Sequence, residues 1–180
     1  MWQAEIGNPK VNSSGRYPDR GDVIGDFTLP STHGNKASPY DYRGRSNLVL
    51  LFAGDGDQGE QRTLYSTLIA HYLAIREQEA EVLVVVPGSV ESEHANSQPE
   101  PPFPVLLDSD LRIHKAVGAV SVQGKPVPAL YVTDRYMEVY AAWRSAEGDT
   151  LPRISDVLSW LAYINSECPE CTQIEWPKDD

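Results

Sequence analysis

The sequence predicts a single domain of the α/β class. Leu48–Phe52 and Glu81–Val86 are near-continuous apolar runs of the length expected for strands covered on both faces. Between them Leu64, Leu68, Tyr72 and Ile75 recur at near-helical spacing, separated by Arg62, Thr67 and Arg76, so one apolar stripe faces a sheet. The chain has 180 residues. A domain of that size buries roughly 70% of the surface its unfolded chain exposes, which is enough for one core without a disulfide framework.

The elements follow in chain order. The first twenty residues, rich in Asn, Ser, Gly, Pro and charge, show neither apolar period and are expected to form an arm. The domain is placed at residues 21–165, with a tail over residues 166–180. Phe27–Leu29 is a short extended piece, Leu48–Phe52 the first central strand, and Gln58 to Gln78 one long helix. Glu81–Pro87 is a second buried strand stopped by Pro-Gly, and a polar stretch runs from there to Pro102. Phe103–Leu107 is extended, and Asp108 or Ser109 caps a short helix through Val117. Ala129–Thr133 and Val139–Trp143 flank the turn residues Asp134-Arg135 as a hairpin. Pro152 suits a first helical turn, and Ile154, Val157, Leu158, Leu161 and Ile164 make the stripe of a last helix.

Composition excludes several partners. With 26 acidic against 15 basic side chains the formal charge is −11, so the average surface repels phosphate backbones and anionic lipid, and nucleic acid is not an expected partner. The longest apolar stretch, Leu48 to Ala53, is far short of the roughly 20 residues of a membrane-spanning helix. The N-terminal residues Met1-Trp2-Gln3-Ala4-Glu5-Ile6 lack a basic region followed by an apolar one, and the expected compartment is the cytoplasm.

Four segments sharpen the fold class. They are Gly25-Asp26-Phe27-Thr28-Leu29-Pro30, then Tyr42-Arg43-Gly44-Arg45 leading into Leu48–Phe52, then Phe103-Pro104-Val105-Leu106-Leu107-Asp108, and Val127-Pro128-Ala129-Leu130-Tyr131-Val132-Thr133-Asp134. In this order and at this spacing the chain resembles the redoxins, the alkyl hydroperoxide reductase and thiol-specific antioxidant branch of the thioredoxin fold. The resemblance implies a thioredoxin-like three-layer α/β/α arrangement around a central mixed sheet, and makes Pro128 the cis-proline beside the active site. It also puts a peroxidatic cysteine in the loop after the first central strand, where the helix N-terminus stabilises a thiolate.

That loop holds no cysteine. It reads Ala53-Gly54-Asp55-Gly56-Asp57-Gln58-Gly59-Glu60-Gln61, and aligned on Phe52 it puts Asp57 and Glu60 where a Cys-x-x-Cys pair would stand. A carboxylate cannot cycle through sulfenic acid and disulfide, so peroxide reduction by the usual route is not expected. Asp57 as N-cap, with Glu60 reaching back three residues, forms a capping box whose charges suit the positive helix end. The alternative is that Asp55, Asp57 and Glu60 bind Mg²⁺ or Ca²⁺, although no calcium-loop spacing is present.

The whole thiol inventory is Cys168-Pro169-Glu170-Cys171, just past the last helix. Two intervening residues let both sulfurs close a disulfide or clamp a soft metal from one side. A helix C-terminus together with Glu167 and Glu170 disfavours thiolates, which weakens the pair as nucleophiles and favours its disulfide. Two sulfurs do not complete a Zn or Fe site, and His33, His71, His94 and His114 show no ligand spacing, so a metal would need a second chain or a protein partner with its own ligands. Two idle tail cysteines are the bland alternative. The function read from the sequence is thiol–disulfide redox chemistry at Cys168 and Cys171. Against it stands a non-catalytic binding or assembly module, as a homodimer or with a partner, whose groove near Pro128 holds an extended peptide. A third arrangement delivers Cys168 to that groove from the tail or from a second subunit.

Overall fold

A computed structural model describes residues 16–55, 59–88 and 100–167. A two-stranded ribbon comes first, β1 (Leu29–Pro30) paired antiparallel with β2 (Lys36–Ala37). The main sheet takes β3 (Asn47–Phe52), β4 (Ala80–Pro87), β5 (Val105–Asp108), β6 (Ala129–Thr133) and β7 (Val139–Arg144) in the spatial order β5-β4-β3-β6-β7. β3, β4 and β5 run parallel, while β6 is antiparallel to β3 and β7 to β6, so the sheet is mixed as the resemblance implies. The helices are α1 (Gly59–Ala70), α2 (Tyr72–Glu77), α3 (Arg112–Ala116) and α4 (Ile154–Ser166).

Alternation along the strands builds two cores. Val49, Leu51, Val82, Val84, Val105, Leu107, Leu130 and Val132 face one side, where Leu64 and Leu68 of α1, Ile75 of α2 and Val157, Leu161 and Ile164 of α4 cover them. Leu48, Leu50, Phe52, Leu83, Val85, Leu106, Ala129 and Tyr131 face the other, covered by Ile24, Phe27 and Leu29 of the entry segment and Ile113 and Val117 around α3. Three layers result. Among the described residues no helix is long and apolar enough to cross a membrane.

One expectation needs correction. The long helix is divided at His71, where the ring Nδ1 lies 3.0 Å from the Thr67 carbonyl that also accepts the His71 N–H (3.0 Å). Side chains that compete for helix carbonyls loosen the ladder, and the hydrophobic period continues through the break. Residues 17–20, assigned to the arm, touch the domain. The Tyr17 ring lies against Gly118, Arg144 Nη1 donates to the Pro18 carbonyl (2.7 Å), and the Arg20 guanidinium lies 5.2 Å from the Trp160 ring centre.

The direction of α4 matters for function. Its first residue, Ile154, lies beside Gly59 and Glu60 at the start of α1. Near its last turn, Asn165 Oδ1 accepts from Asn47 Nδ2 (2.8 Å) at the opposite end of β3, and Asn165 Nδ2 donates to the Gln78 carbonyl (2.8 Å). Asn47 is fully buried. Asn165→Ala strands the Asn47 amide without its acceptor and is expected to lower stability by about 1–3 kcal/mol in urea unfolding.

Candidate functional site

The chain leaves β3 at Phe52, and in the Ala53–Asp55 loop that follows each N–H is hydrogen-bonded. The Ala53 N–H donates to the Val85 carbonyl (2.8 Å), the Gly54 N–H to Gln61 Oε1 (2.6 Å) and the Asp55 N–H to the Pro126 carbonyl (3.0 Å). The Ala53 carbonyl lies 3.0 Å from His114 Nε2. Gly54 is required here. A Cβ on it would stand 2.8 Å from Pro128 Cδ and 3.1 Å from both Pro128 N and Val127 Cα, so only glycine admits this contact.

Pro128 is buried and lies against Gly54 of this loop. Glu60 is exposed on the first turn of α1, at the mouth of a cavity of about 420 Å³ that Thr63, Leu64, Leu151 and Ile154 also line. Pro128 and Glu60 thus share the loop end of the sheet. Asp57, Cys168 and Cys171 lie outside the described residues, and so does the capping box built on Asp57. Asp55 is exposed, and among the described residues no group of three or more His, Cys, Asp or Glu side chains could hold a metal ion.

Beneath the loop lies a pair that sequence reasoning treated as unrelated residues. Asp108 ends β5 and His114 sits in α3; both side chains are 0% exposed, and His114 Nδ1 lies 2.7 Å from Asp108 Oδ2. The same oxygen accepts the N–H groups of Ile113 (3.0 Å) and His114 (2.8 Å), so Asp108 caps α3 from four residues before its first turn. Leu111 occupies the cap position itself, with left-handed φ of 56°. Burial acts to raise the Asp108 pKa, but the hydrogen bonds from the His114 ring and amide, with the charge on the ring, hold it below the usual carboxylate value. Its second oxygen, Oδ1, is buried without a partner. A signal existed in the sequence: His114 falls inside the apolar arc of Ile113 and Val117, an unusual place for an unpaired imidazole.

The buried cation nearest this end is also engaged. Arg144 pairs with Ala129 across the sheet, donates through Nε to Glu147 Oε2 (2.6 Å) and through Nη1 to the Pro18 carbonyl, and lies 3.3 Å from the Tyr131 hydroxyl. That hydroxyl donates to the Val117 carbonyl (2.5 Å), and burial pushes its pKa up to about 12.

The other end of the sheet carries the approach to the cysteines. The Tyr140 hydroxyl donates to Glu167 Oε2 (2.6 Å), which pins the residue before Cys168 to β7. That bond raises the Tyr140 pKa and lowers that of Glu167. Burial and the nearby charges of Asp134 and Glu167 raise Glu138, so acidic groups crowd this edge.

The family model described as the AhpC/TSA family matches residues 20–142. No curated protein matches the sequence. Among solved structures, the peroxidoxin BcpB of Mycobacterium tuberculosis superposes with a TM-score of 0.70 at 17% identity, covering 82% of this chain and 99% of its own. Mycobacterium bovis AhpC gives 0.69 at 18%, covering 89% and 99%. A yeast mitochondrial 1-Cys peroxiredoxin gives 0.69 at 18%, covering 90% and 84%.

The Asp108–His114 pair makes a prediction for stability. A depressed folded pKa means that Asp108 contributes stability above its unfolded value near 3.9, and that the contribution is lost as pH falls through the folded value. Asp108→Ala is expected to cost about 3–5 kcal/mol at neutral pH, because the Ile113 and His114 N–H groups and the His114 ring are left buried without their acceptor. Urea unfolding from pH 7 to pH 2 checks both points, and the variant should lose less stability than wild type over the acid limb.

Proposed function

The chain belongs to the AhpC/TSA family, and from that premise we propose that its redox chemistry has moved from the loop after β3 to Cys168 and Cys171. The observation that carries this reading is the cysteine-free loop with every described N–H of Ala53–Asp55 bonded internally. That loop supplies no sulfur nucleophile, and its described residues Ala53, Gly54 and Asp55 have no N–H left with which to hold an oxidant.

The terminal pair would act as a reducing dithiol. One thiolate attacks a substrate disulfide, releases a thiol and forms a mixed disulfide. The second thiolate then attacks that bond, closes the Cys168–Cys171 disulfide and releases the second substrate thiol, a transfer of two electrons with two protons. The acidic groups at Glu138 and Glu167 disfavour thiolates nearby and so favour the oxidised product, as a reductant requires.

Glu167, the last described residue, is held at the end of the sheet opposite Pro128, so a second subunit is the route this reading favours for the third arrangement.

The closed loop also favours a second reading, a non-catalytic binding or assembly module whose terminal pair shares a Zn or Fe site with a second chain or a partner. Turnover separates the readings. The purified protein is expected to reduce a model disulfide, with the activity lost in Cys168→Ser, and to consume peroxide at background rate with thioredoxin or a small thiol. Disulfide reduction that is absent, together with about one Zn or Fe per two chains, would establish the module instead. Peroxide turnover surviving Cys168→Ser with Cys171→Ser would overturn both.

A further inference from the structure

The geometry points to a proton-gated latch: Asp108 and His114 hold the Ala53–Asp55 loop closed against Pro126–Pro128, and the loop opens when the imidazole loses a proton. This inference stands apart from the redox reading and needs no cysteine.

The hydrogen bonds fix the proton count of the closed state. A carbonyl oxygen only accepts, so the contact of His114 Nε2 with the Ala53 carbonyl at 3.0 Å requires a proton on Nε2. Asp108 Oδ2 already accepts two backbone N–H groups, so it is the acceptor toward Nδ1 as well, and Nδ1 carries the second proton. The closed latch therefore contains an imidazolium. The lowered Asp108 pKa agrees with a carboxylate facing that charge.

Losing one proton breaks a particular bond. Retaining hydrogen on Nδ1 preserves the contact with the carboxylate, the stronger of the two because its acceptor is charged. The lone pair on Nε2 then faces the lone pairs of the Ala53 carbonyl. The ring has little room to turn away, since it is fully buried and edge-on to Phe52 with ring centres 5.7 Å apart. The loop is the movable partner. Rotating the Ala53–Gly54 peptide draws the Gly54 N–H from Gln61 Oε1 and exposes that donor beside Pro128.

Few charges compete for this control. Asp108 and Asp110 come from the end of β5 and the turn after it, Arg112 and Lys115 from α3, Asp55 from the loop and Lys125 from the hairpin before β6. Among the described residues, the ion pair made by His114 is the one with Asp108.

Amide hydrogen exchange by NMR on the full chain, corrected for intrinsic rates, tests the latch between pH 5.5 and 9, with ¹⁵N shifts reporting the His114 ring. Protection of Gly54 is expected to fall about tenfold as the ring titrates, the equivalent of one lost hydrogen bond, while Leu50 and Val84 stay protected. His114→Gln keeps a donor for the Ala53 carbonyl but cannot titrate, so its loop protection should be independent of pH; if that variant does not fold, the wild-type series decides. A ring that does not titrate below pH 9, a neutral ring while the loop is protected, or protection indifferent to the titration would each overturn the gate.

Discussion

All six side chains of β3 are buried, with helices on one face and the entry segment and α3 on the other. A strand covered on both faces has no freedom in register, because a shift by one residue would exchange every contact of its two cores. β4 and β6 pair along almost its whole length, and Phe52 is therefore fixed at one end and Asn47 at the other.

At the Phe52 end the family resemblance places the reactive thiol, and here the chain instead has a glycine pressed against Pro128 and a buried carboxylate–imidazole pair under the turn. Burying a carboxylate is costly unless it is hydrogen-bonded; Asp108 caps α3, and the His114 ring beside it lies 3.0 Å from the Ala53 carbonyl. At the Asn47 end, α4 is tied down by Asn165 and Glu167 immediately before the only two cysteines. The length of a single strand thus separates the ordered loop from the end of α4.

Much of the fold was legible because burial on two faces writes unbroken apolar runs, as in Leu48–Phe52 and Glu81–Val86, and the hairpin turn at Asp134 was legible from its turn chemistry. Asp134 Oδ1 accepts the N–H groups of Tyr136 (2.8 Å) and Glu138 (2.9 Å). The Lys36–Ala37 strand was invisible, being two residues with no apolar period, and the break at His71 was hidden because Tyr72 and Ile75 continue the stripe. Of the candidate site, Pro128 was readable from its motif. The Asp108–His114 pair was not, since it depends on a contact across α3, and a histidine alone carries no sign of what its ring touches.

The relocation of redox chemistry to the terminal pair is tested most directly by equilibrating the full chain anaerobically in glutathione buffers and trapping the thiols for mass measurement. The account predicts one two-electron transition between the Cys168/Cys171 dithiol and its disulfide, at a potential below roughly −200 mV. Two thiols that remain free across the whole series, in a protein without bound metal, would contradict it.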